Sequence, residues 1–284
     1  MKTTPSVRRL RAWLSAAVLA AAMLHGAILS PLLAEDAPSV PEVNRFGGRY
    51  LGKAAVDFGK ILVSPAHWQG KDFAVLGAAA GLTAIFFVAD PGTQDWVAKH
   101  PDIGSSRFSL FVTHFGEAPF LLGLSTIFYL GGEVFRDDSL RKTALMSLES
   151  FAISGLIVTG IKVVLARSRP AAGDGAYQFN WFSTRSRQNS FPSGHASSAF
   201  AVAAVVAGQS DSVVVGTLAY GLASLVAVSR VVNNEHWVSD VLAGSLLGYF
   251  IGKQVLALNR PSAKNKPKLS VAPAPGGFSL ALSF

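Results

Sequence analysis

Residues 189–209 read NSFPSGHASSAFAVAAVVAGQ, with a proline, a serine, a glycine and a histidine directly before an apolar run. The apolar run is typical of a buried or membrane-embedded helix. Ser193 is a suitable N-cap for this helix, and Gly194 lets a ligand approach the backbone closely. Because a helix N-terminus with free N–H groups binds anions, His195 on the first turn is predicted to lie beside an anion. A serine cap with an incidental histidine is the alternative that this stretch leaves open.

Five more apolar segments accompany this run, and together they predict the fold class. The six segments lie near residues 73–89, 118–130, 144–165, 196–209, 213–232 and 238–258. Half of the chain (50%) is hydrophobic and only 15% is charged, whereas soluble domains carry about a quarter charged residues. No strand pattern competes, so the sequence predicts an all-α membrane bundle of about six helices. Small residues in GAAAG (77–81) and LAGSLLG (242–248) permit close helix packing there.

The net charge of +8 is concentrated at the two ends of the chain. Residues 1–34 and the tail from residue 253 contain basic residues and no acid, and the stretch between them is close to neutral. Basic ends beside apolar segments contact anionic lipid or fix topology, so no nucleic-acid partner is expected. The chain has no cysteine, which excludes disulfides and cysteine-ligated metals.

Composition divides the chain into four parts. Residues 1–34 have a basic start followed by an apolar stretch, which predicts a signal peptide cleaved after Ala34 or, alternatively, an N-terminal anchor helix. Residues 35–72 are predicted to form a linker with an interfacial segment, and residues 73–258 the helical domain. Residues 259–284 are basic and rich in proline, which predicts a disordered tail.

A second polar cluster, KVVLARSRP (162–170), ends one of the apolar segments. Lys162 and Arg169 are seven residues apart, so a helix that runs this far presents both on one face. Two cations at a helix end can hold a doubly charged oxyanion. The alternative is a pair of basic side chains that extend to a lipid headgroup layer.

The third cluster is SRVVNNEHWVSD (229–240), in which His236 and Asp240 are four residues apart. A carboxylate bound to one ring nitrogen fixes the tautomer and strengthens the other nitrogen as a nucleophile or base. Arg230 adds a cation to the cluster. A helical His–Asp pair without a catalytic role is the alternative.

Taken together, the three clusters resemble the signature of the type 2 phosphatidic acid phosphatase (PAP2) superfamily: Lys-x6-Arg-Pro, Pro-Ser-Gly-His and Ser-Arg-x5-His-x3-Asp. In this sequence the motifs stand at Lys162…Arg169-Pro170, Pro192-Ser193-Gly194-His195 and Ser229-Arg230…His236…Asp240. The resemblance covers residues 144–258 and shows no departure from the signature. It implies a helical membrane bundle of the PAP2/haloperoxidase-like type.

The resemblance also implies a role for each motif residue. His236 attacks phosphorus to form a phosphohistidine, and Asp240 orients His236. His195 protonates the leaving alcohol or phosphate and then activates water. The phosphate-binding residues implied are Lys162, Arg169, Ser193, Gly194 and Arg230. These donors neutralise the phosphoryl oxygens, so no metal ion and no other cofactor is expected.

A membrane body predicts a lipid phosphate substrate: phosphatidate, phosphatidylglycerol phosphate, undecaprenyl diphosphate or a lipid A phosphate. A non-enzymatic membrane transport or lipid-binding protein on the same helices is the alternative from another functional class. The remaining alternative is a relative of the soluble acid phosphatases or the vanadium haloperoxidases. The oligomeric state is not predicted.

The charges also predict a location. Arg136, Arg141, Lys142 and the basic tail fall on the side opposite the three motifs, so the positive-inside rule places the site on the periplasmic face of a bacterial inner membrane. A cleaved signal, or one spanning anchor, would instead leave residue 73 outside the cytoplasm. The sequence leaves this conflict open.

The loop 166–195 contains other arginines and several aromatic residues. Arg167, Arg185 and Arg187 are predicted to be solvated loop charges, with contact to a substrate headgroup as the alternative. The aromatic residues predict an interfacial lip. They are Tyr177, Phe179, Trp181 and Phe182.

Overall fold

Helices form at all six predicted apolar segments. The computed structural model describes residues 45–260, 268–274 and 277–283, and within these residues it has nine α-helices. They are α1 Gly48–Val63, α2 Gly70–Ala98, α3 Pro101–Gly104, α4 Arg107–Thr113, α5 Ala118–Val134, α6 Asp138–Leu165, α7 Gly194–Gln209, α8 Val213–Val232 and α9 Val238–Leu258. The prediction of an all-α bundle is confirmed.

Four helices, α2, α6, α8 and α9, are long and apolar enough to cross a membrane. A fifth candidate span is a broken one, in which Arg107–Gly116 and α5 meet at an angle of 60°. Helix α7 has 16 residues and is shorter than these. Large apolar side chains lie on the outer surface, including Val88 (76% exposed) and Val213 (83% exposed), as expected for a surface in contact with lipid. The chain is a multi-pass membrane protein.

Helix α7 lies in the centre of the bundle and packs against α6, α8 and α9. Three glycines of α9 make its contact with α7 unusually close. A Cβ at Gly244 would lie 2.4 Å from the carbonyl oxygen of Ser193, and a Cβ at Gly248 would lie 2.0 Å from that of Ser197. The close packing that the small residues at 242–248 permit is therefore present, and it brings Ser193 next to the start of α9.

The small residues at 77–81 make no such contact. Gly77 and Gly81 have no neighbouring atom within 4 Å of a Cβ position, so this half of α2 lies at the outside of the bundle. The other half of α2 is anchored, because Asp90 is completely buried. Small residues permit close packing but do not require it.

The predicted linker 35–72 contains helix α1, which docks on α6 through Tyr50 and through Lys53, whose Nζ lies 4.0 Å from Glu149 Oε2. The Tyr50 hydroxyl donates to the carbonyl of Leu145 at 2.7 Å and contacts Glu149 Oε2 at 2.7 Å. Leu51 and Leu62 on α1 are more than half exposed, which suits an interfacial helix. The predicted signal or anchor (1–34) and residues 35–44 lie outside the described residues.

The predicted disordered tail instead contains two short strands. Strand β1 (Lys268–Ala274) pairs antiparallel with β2 (Gly277–Ser283), with Lys268 opposite Ser283.

Candidate active site

The three motifs meet at one end of the bundle, where α6 and α8 end and α7 and α9 begin. Lys162 Nζ, near the end of α6, donates to the backbone carbonyl of Asn189 and lies 3.5 Å from that of Ser190. The backbone N–H of Ser193 donates to the carbonyl of Asp240 at 2.9 Å. The structure therefore places all the predicted motif residues in one region.

His236 lies in the turn between α8 and α9 and is 2% exposed. The turn is closed by the His236 N–H, which donates to the carbonyl of Arg230 at 3.2 Å. Asn234 takes a left-handed conformation (φ 62°), which asparagine adopts more readily than most residues. Sequence spacing places His236 beside Asp240, and its Nδ1 is 3.6 Å from Asp240 Oδ2.

Asp240 holds the imidazole and also caps its own helix. Its Oδ2 accepts from the Trp237 N–H at 3.0 Å and from the Ser190 hydroxyl, which itself lies 3.4 Å from His236 Nδ1. With Nδ1 turned toward this pair, Nε2 is the ring nitrogen left for a substrate. Burial lowers the pKa of His236 to about 3. The nearby charge of Lys162 also lowers this pKa, whereas Asp240 raises it. The imidazole is therefore neutral at neutral pH.

Arg167 is not a solvated loop charge, and this prediction is wrong. Its side chain is completely buried, with Nη1 donating to Asp240 Oδ1 at 2.6 Å and Nη2 donating to Asp90 Oδ2 at 2.7 Å. Nε also donates to the carbonyl of Ala176 at 2.9 Å. The guanidinium carbon lies 4.3 Å from the centre of the Phe87 ring, within cation–π range. A fully bonded arginine thus supports the carboxylate behind His236.

Asp90, on α2, completes this support and was not predicted. It is 0% exposed and accepts from the backbone N–H of Ser239 at 3.0 Å as well as from Arg167. No local pattern marks Asp90, because its partners lie far away in the sequence. Arg167 carried a weak signal, since residues two apart in an extended segment share a face and Arg169 belongs to a motif.

The other side of the site is a group of cations, Lys162, Arg169 and Arg230, here called the cradle. Two buried donors of the predicted phosphate-binding residues, Ser193 Oγ and Arg230 Nε, have no hydrogen-bond partner among the described residues. An unpaired buried donor is costly, so these atoms suit an anionic ligand. Within the same part of the chain, no three histidine, aspartate or glutamate side chains are grouped to hold a metal ion.

Glu235 contacts the cradle and was also missed. The same oxygen, Oε2, is bound by Arg169 Nη1 and lies 3.5 Å from Arg230 Nη2. The residue stands at an unspecified position of the third motif, so the motif gives no signal for it.

His195 lies on the first turn of α7, beside the break in the α4–α5 span. A Cβ at Gly116 would lie 3.1 Å from His195 Cβ, so only glycine fits comfortably at this point. Burial and the charge of Arg230 lower the pKa of His195 to about 4, while Glu117 acts in the opposite direction. His195 is therefore neutral at neutral pH in the ligand-free site.

The rest of the loop 166–195 is more exposed than Arg167. The side chain of Arg187 is 61% exposed and lies 3.6 Å from Asp174, as expected for a loop charge. Tyr177, Trp181 and Phe182 are all more than half exposed. Phe179 is half-buried and stacks on Phe87 with ring centres 6.1 Å apart. The lip remains a prediction.

Comparison with known proteins shows what this part of the chain resembles. The model of the PAP2 superfamily matches residues 143–262. A lipid A 1-phosphatase of Porphyromonas gingivalis is 34% identical over 120 residues, which are 42% of this chain and 24% of that protein. A lipid A 1-phosphatase of Rhizobium etli is 27% identical over 199 residues, which are 65% of this chain and 82% of that protein. The chain therefore spans about a quarter of the first relative and most of the second.

Two crystal structures are also similar. LpxE of Aquifex aeolicus has a TM-score of 0.42 and 21% identity, covering 61% of this chain and 93% of that one. The PAP2-type phosphatidylglycerolphosphate phosphatase of Bacillus subtilis has a TM-score of 0.40 and 23% identity, covering 75% of this chain and 98% of that one. The family match includes all three motifs, from Lys162 to Asp240, so this part of the chain is similar to the PAP2 superfamily.

Proposed function

We propose that this protein is a lipid phosphatase that hydrolyses a phosphate monoester or diphosphate through a phosphohistidine on His236. One observation carries the proposal: a buried, neutral imidazole bound by a carboxylate lies in the same site as three cations and two unpaired buried donors. A transport or lipid-binding protein on this scaffold would have no need for an activated imidazole.

In the first half of the reaction, His236 Nε2 forms a bond to phosphorus and the bond from phosphorus to the lipid oxygen breaks. The leaving oxygen takes a proton from His195. Asp240, fixed by Arg167 and Ser190, stabilises the positive charge that develops on His236. In the second half, a water molecule gives a proton to His195, and the oxygen of this water bonds to phosphorus. The Nε2–P bond breaks at the same time, which releases inorganic phosphate.

His195 must carry a proton in the first half, although its pKa in the ligand-free site is about 4. A bound phosphoryl dianion offsets the charges of Arg230, Lys162 and Arg169 that lower this pKa, so substrate binding raises it. The histidine then acts first as acid and afterwards as base. The cradle neutralises the oxygens on which charge accumulates.

We propose a lipid A phosphate as the first substrate to test, because three of the curated relatives carry the name lipid A 1-phosphatase. Phosphatidate, phosphatidylglycerol phosphate and undecaprenyl diphosphate are the other members of the same chemical class. The site lies at the ends of apolar helices, where the phosphate of a membrane lipid is found.

We further propose the bacterial inner membrane as the location, with the site facing the periplasm. Arg136 and Lys142 lie at the opposite end of the bundle, which favours the cytoplasm for that end. Arg141 contributes less to this argument than its position suggests, since it is 8% exposed and paired with Asp138. Helix α1 docks on Leu145 at the same end, so this orientation requires residues 1–44 to leave α1 in the cytoplasm. A signal peptide cleaved after Ala34 would not do so.

The activity is tested by phosphate release from detergent-purified protein with EDTA present. The panel contains lipid A, phosphatidate, phosphatidylglycerol phosphate, undecaprenyl diphosphate and a soluble ester, with His236→Ala as control. We expect metal-independent release from at least one lipid and none from the variant. Folded protein that releases phosphate from no member would reject the phosphatase in favour of binding or transport.

The orientation is tested by cysteine labelling, for which the cysteine-free chain is suited. Thr184→Cys lies in the loop on the site's side, and Asp211→Cys in the loop at the opposite end; both positions are exposed. In spheroplasts, an impermeant maleimide should label Thr184→Cys and leave Asp211→Cys unlabelled until lysis. The reverse pattern would place the site in the cytoplasm.

A further inference from the structure

Glu235 places a carboxylate on two of the three cradle cations. Its Oε2 is bound by Arg169 Nη1 and lies 3.5 Å from Arg230 Nη2, so the two guanidinium groups share one oxygen. Carboxylate and phosphate are the anions that guanidinium groups bind in the same forked geometry. The carboxylate therefore uses donors that a phosphoryl oxygen would use.

The surroundings of Glu235 allow it to leave this position. Its side chain is 41% exposed, whereas that of Arg230 is 9% exposed and that of Arg169 is 25% exposed. Glu235 lies in the turn between α8 and α9, and its backbone N–H donates to the carbonyl of Arg230 at 3.1 Å. The backbone is held by this bond while the side chain can turn toward solvent.

The third cation of the cradle is bound differently. Lys162 donates to the carbonyl of Asn189, and no carboxylate lies within ion-pairing distance of its ammonium group among the described residues. A phosphoryl group can reach Lys162, Ser193 Oγ and Arg230 Nε without displacing an anion. It must compete with a carboxylate only at Arg169 Nη1 and Arg230 Nη2.

We propose that Glu235 is an internal competitor of the phosphoryl group, which binds Arg169 and Arg230 in the free enzyme and releases them when phosphate binds. The role is one of specificity and product release, since the competition weakens the binding of inorganic phosphate after hydrolysis. The inference rests on the proposed function to the extent that the cradle binds phosphate.

The test compares Glu235→Gln with Glu133→Gln in the full chain. Glu133 is a matched control, because its side chain is 34% exposed and lies 3.6 Å from Arg141 at the other end of the bundle. The competitive inhibition constant of inorganic phosphate is measured for both variants with the substrate found in the panel. Binding of inorganic phosphate is also measured calorimetrically in a His236→Ala background, which needs no turnover.

We expect Glu235→Gln to bind inorganic phosphate about threefold to tenfold more tightly in both measurements, and Glu133→Gln to match the parent. Unchanged binding would overturn the inference. So would weaker binding, which would mean that Glu235 orients the arginines without competing.

The two proposals fail separately. Tighter calorimetric binding in Glu235→Gln, in a protein whose parent releases no phosphate from any lipid, would support the competitor and reject the phosphatase. Turnover in the parent with unchanged phosphate binding in Glu235→Gln would support the phosphatase and reject the competitor.

Discussion

The two sides of His236 differ in how completely their polar groups are bonded. Behind the imidazole, Asp240, Arg167 and Asp90 are all completely buried and joined by hydrogen bonds of 2.6 and 2.7 Å. On the cradle side, Ser193 Oγ and Arg230 Nε have no partner among the described residues. The first side is complete without a ligand, whereas the second is completed by one.

This difference indicates that the two sides have different roles. A fully bonded network in a low-dielectric interior has one arrangement, so it can hold an imidazole in a fixed orientation. Donors that bind a substrate cannot be satisfied by the protein as well. Removing a group should therefore harm stability and the positioning of His236 on the bonded side, and the binding of the phosphoryl group on the cradle side.

The largest effect is expected from Arg167→Ala. It leaves the carboxylates of Asp90 and Asp240 buried without their cation, which costs about 3–5 kcal/mol of unfolding free energy. Thermal unfolding in detergent measures the loss. The matched control is Arg187→Ala, whose 61% exposed side chain should leave stability within about 0.5 kcal/mol of the parent. Equal stability of the two variants would contradict the buried network.

A smaller effect is expected from Asp90→Asn, which keeps the shape and removes the charge that Arg167 and Ser239 bind. Because Asp90 acts on His236 only through these partners, kcat should fall about 10- to 100-fold while phosphate binding by the cradle stays unchanged. Initial rates and calorimetry separate the two quantities. A parallel loss of phosphate binding would mean that Asp90 supports the whole site and does not position the nucleophile.

On the cradle side, Ser193→Ala and Ser197→Ala form a matched pair of buried serines. Ser193 Oγ is unpaired, so its removal should lower kcat/KM about tenfold and leave stability unchanged. Ser197 Oγ bonds to Ser154 Oγ at 2.6 Å, so its removal should cost about 1 kcal/mol of stability and little activity. The same loss of activity in both variants would remove the distinction between the two sides.

The smallest effect concerns pH. The pKa of His195 is about 4 because burial and the charges of Arg230, Lys162 and Arg169 oppose its protonation, with Glu117 acting the other way. A bound dianion raises this pKa, so binding takes up a proton and becomes weaker as pH rises. Sulfate, a dianion over the whole range, should bind several-fold more tightly at pH 5 than at pH 7 by calorimetry. His195→Gln should lose this dependence; its persistence in the variant would assign the proton elsewhere.

Sequence patterns predicted the bundle, the three motifs and their convergence, because each motif has a fixed spacing at a helix end. They failed where partners come from distant elements. Asp90 follows no motif and meets Arg167 only through the packing of α2 on α9. Arg167 stands in a polar loop, and only its position two residues before Arg169 distinguishes it from exposed Arg187. The glycines at 77–81 and 242–248 have similar composition, yet only the second group meets a neighbouring backbone.

The central claim is a covalent bond between phosphorus and His236, and trapping this bond tests it most directly. The His195→Gln variant, in which hydrolysis of the intermediate is slowed, is mixed with a ³²P-labelled phosphate ester of a good leaving group such as 4-nitrophenol, which needs no proton from His195 in the first half. The reaction is quenched in base, which preserves phosphohistidine, and digested for mass spectrometry. The account predicts label on the peptide containing His236 and none in His195→Gln/His236→Ala. Turnover by the parent enzyme with label on no residue, or on another residue, would contradict it.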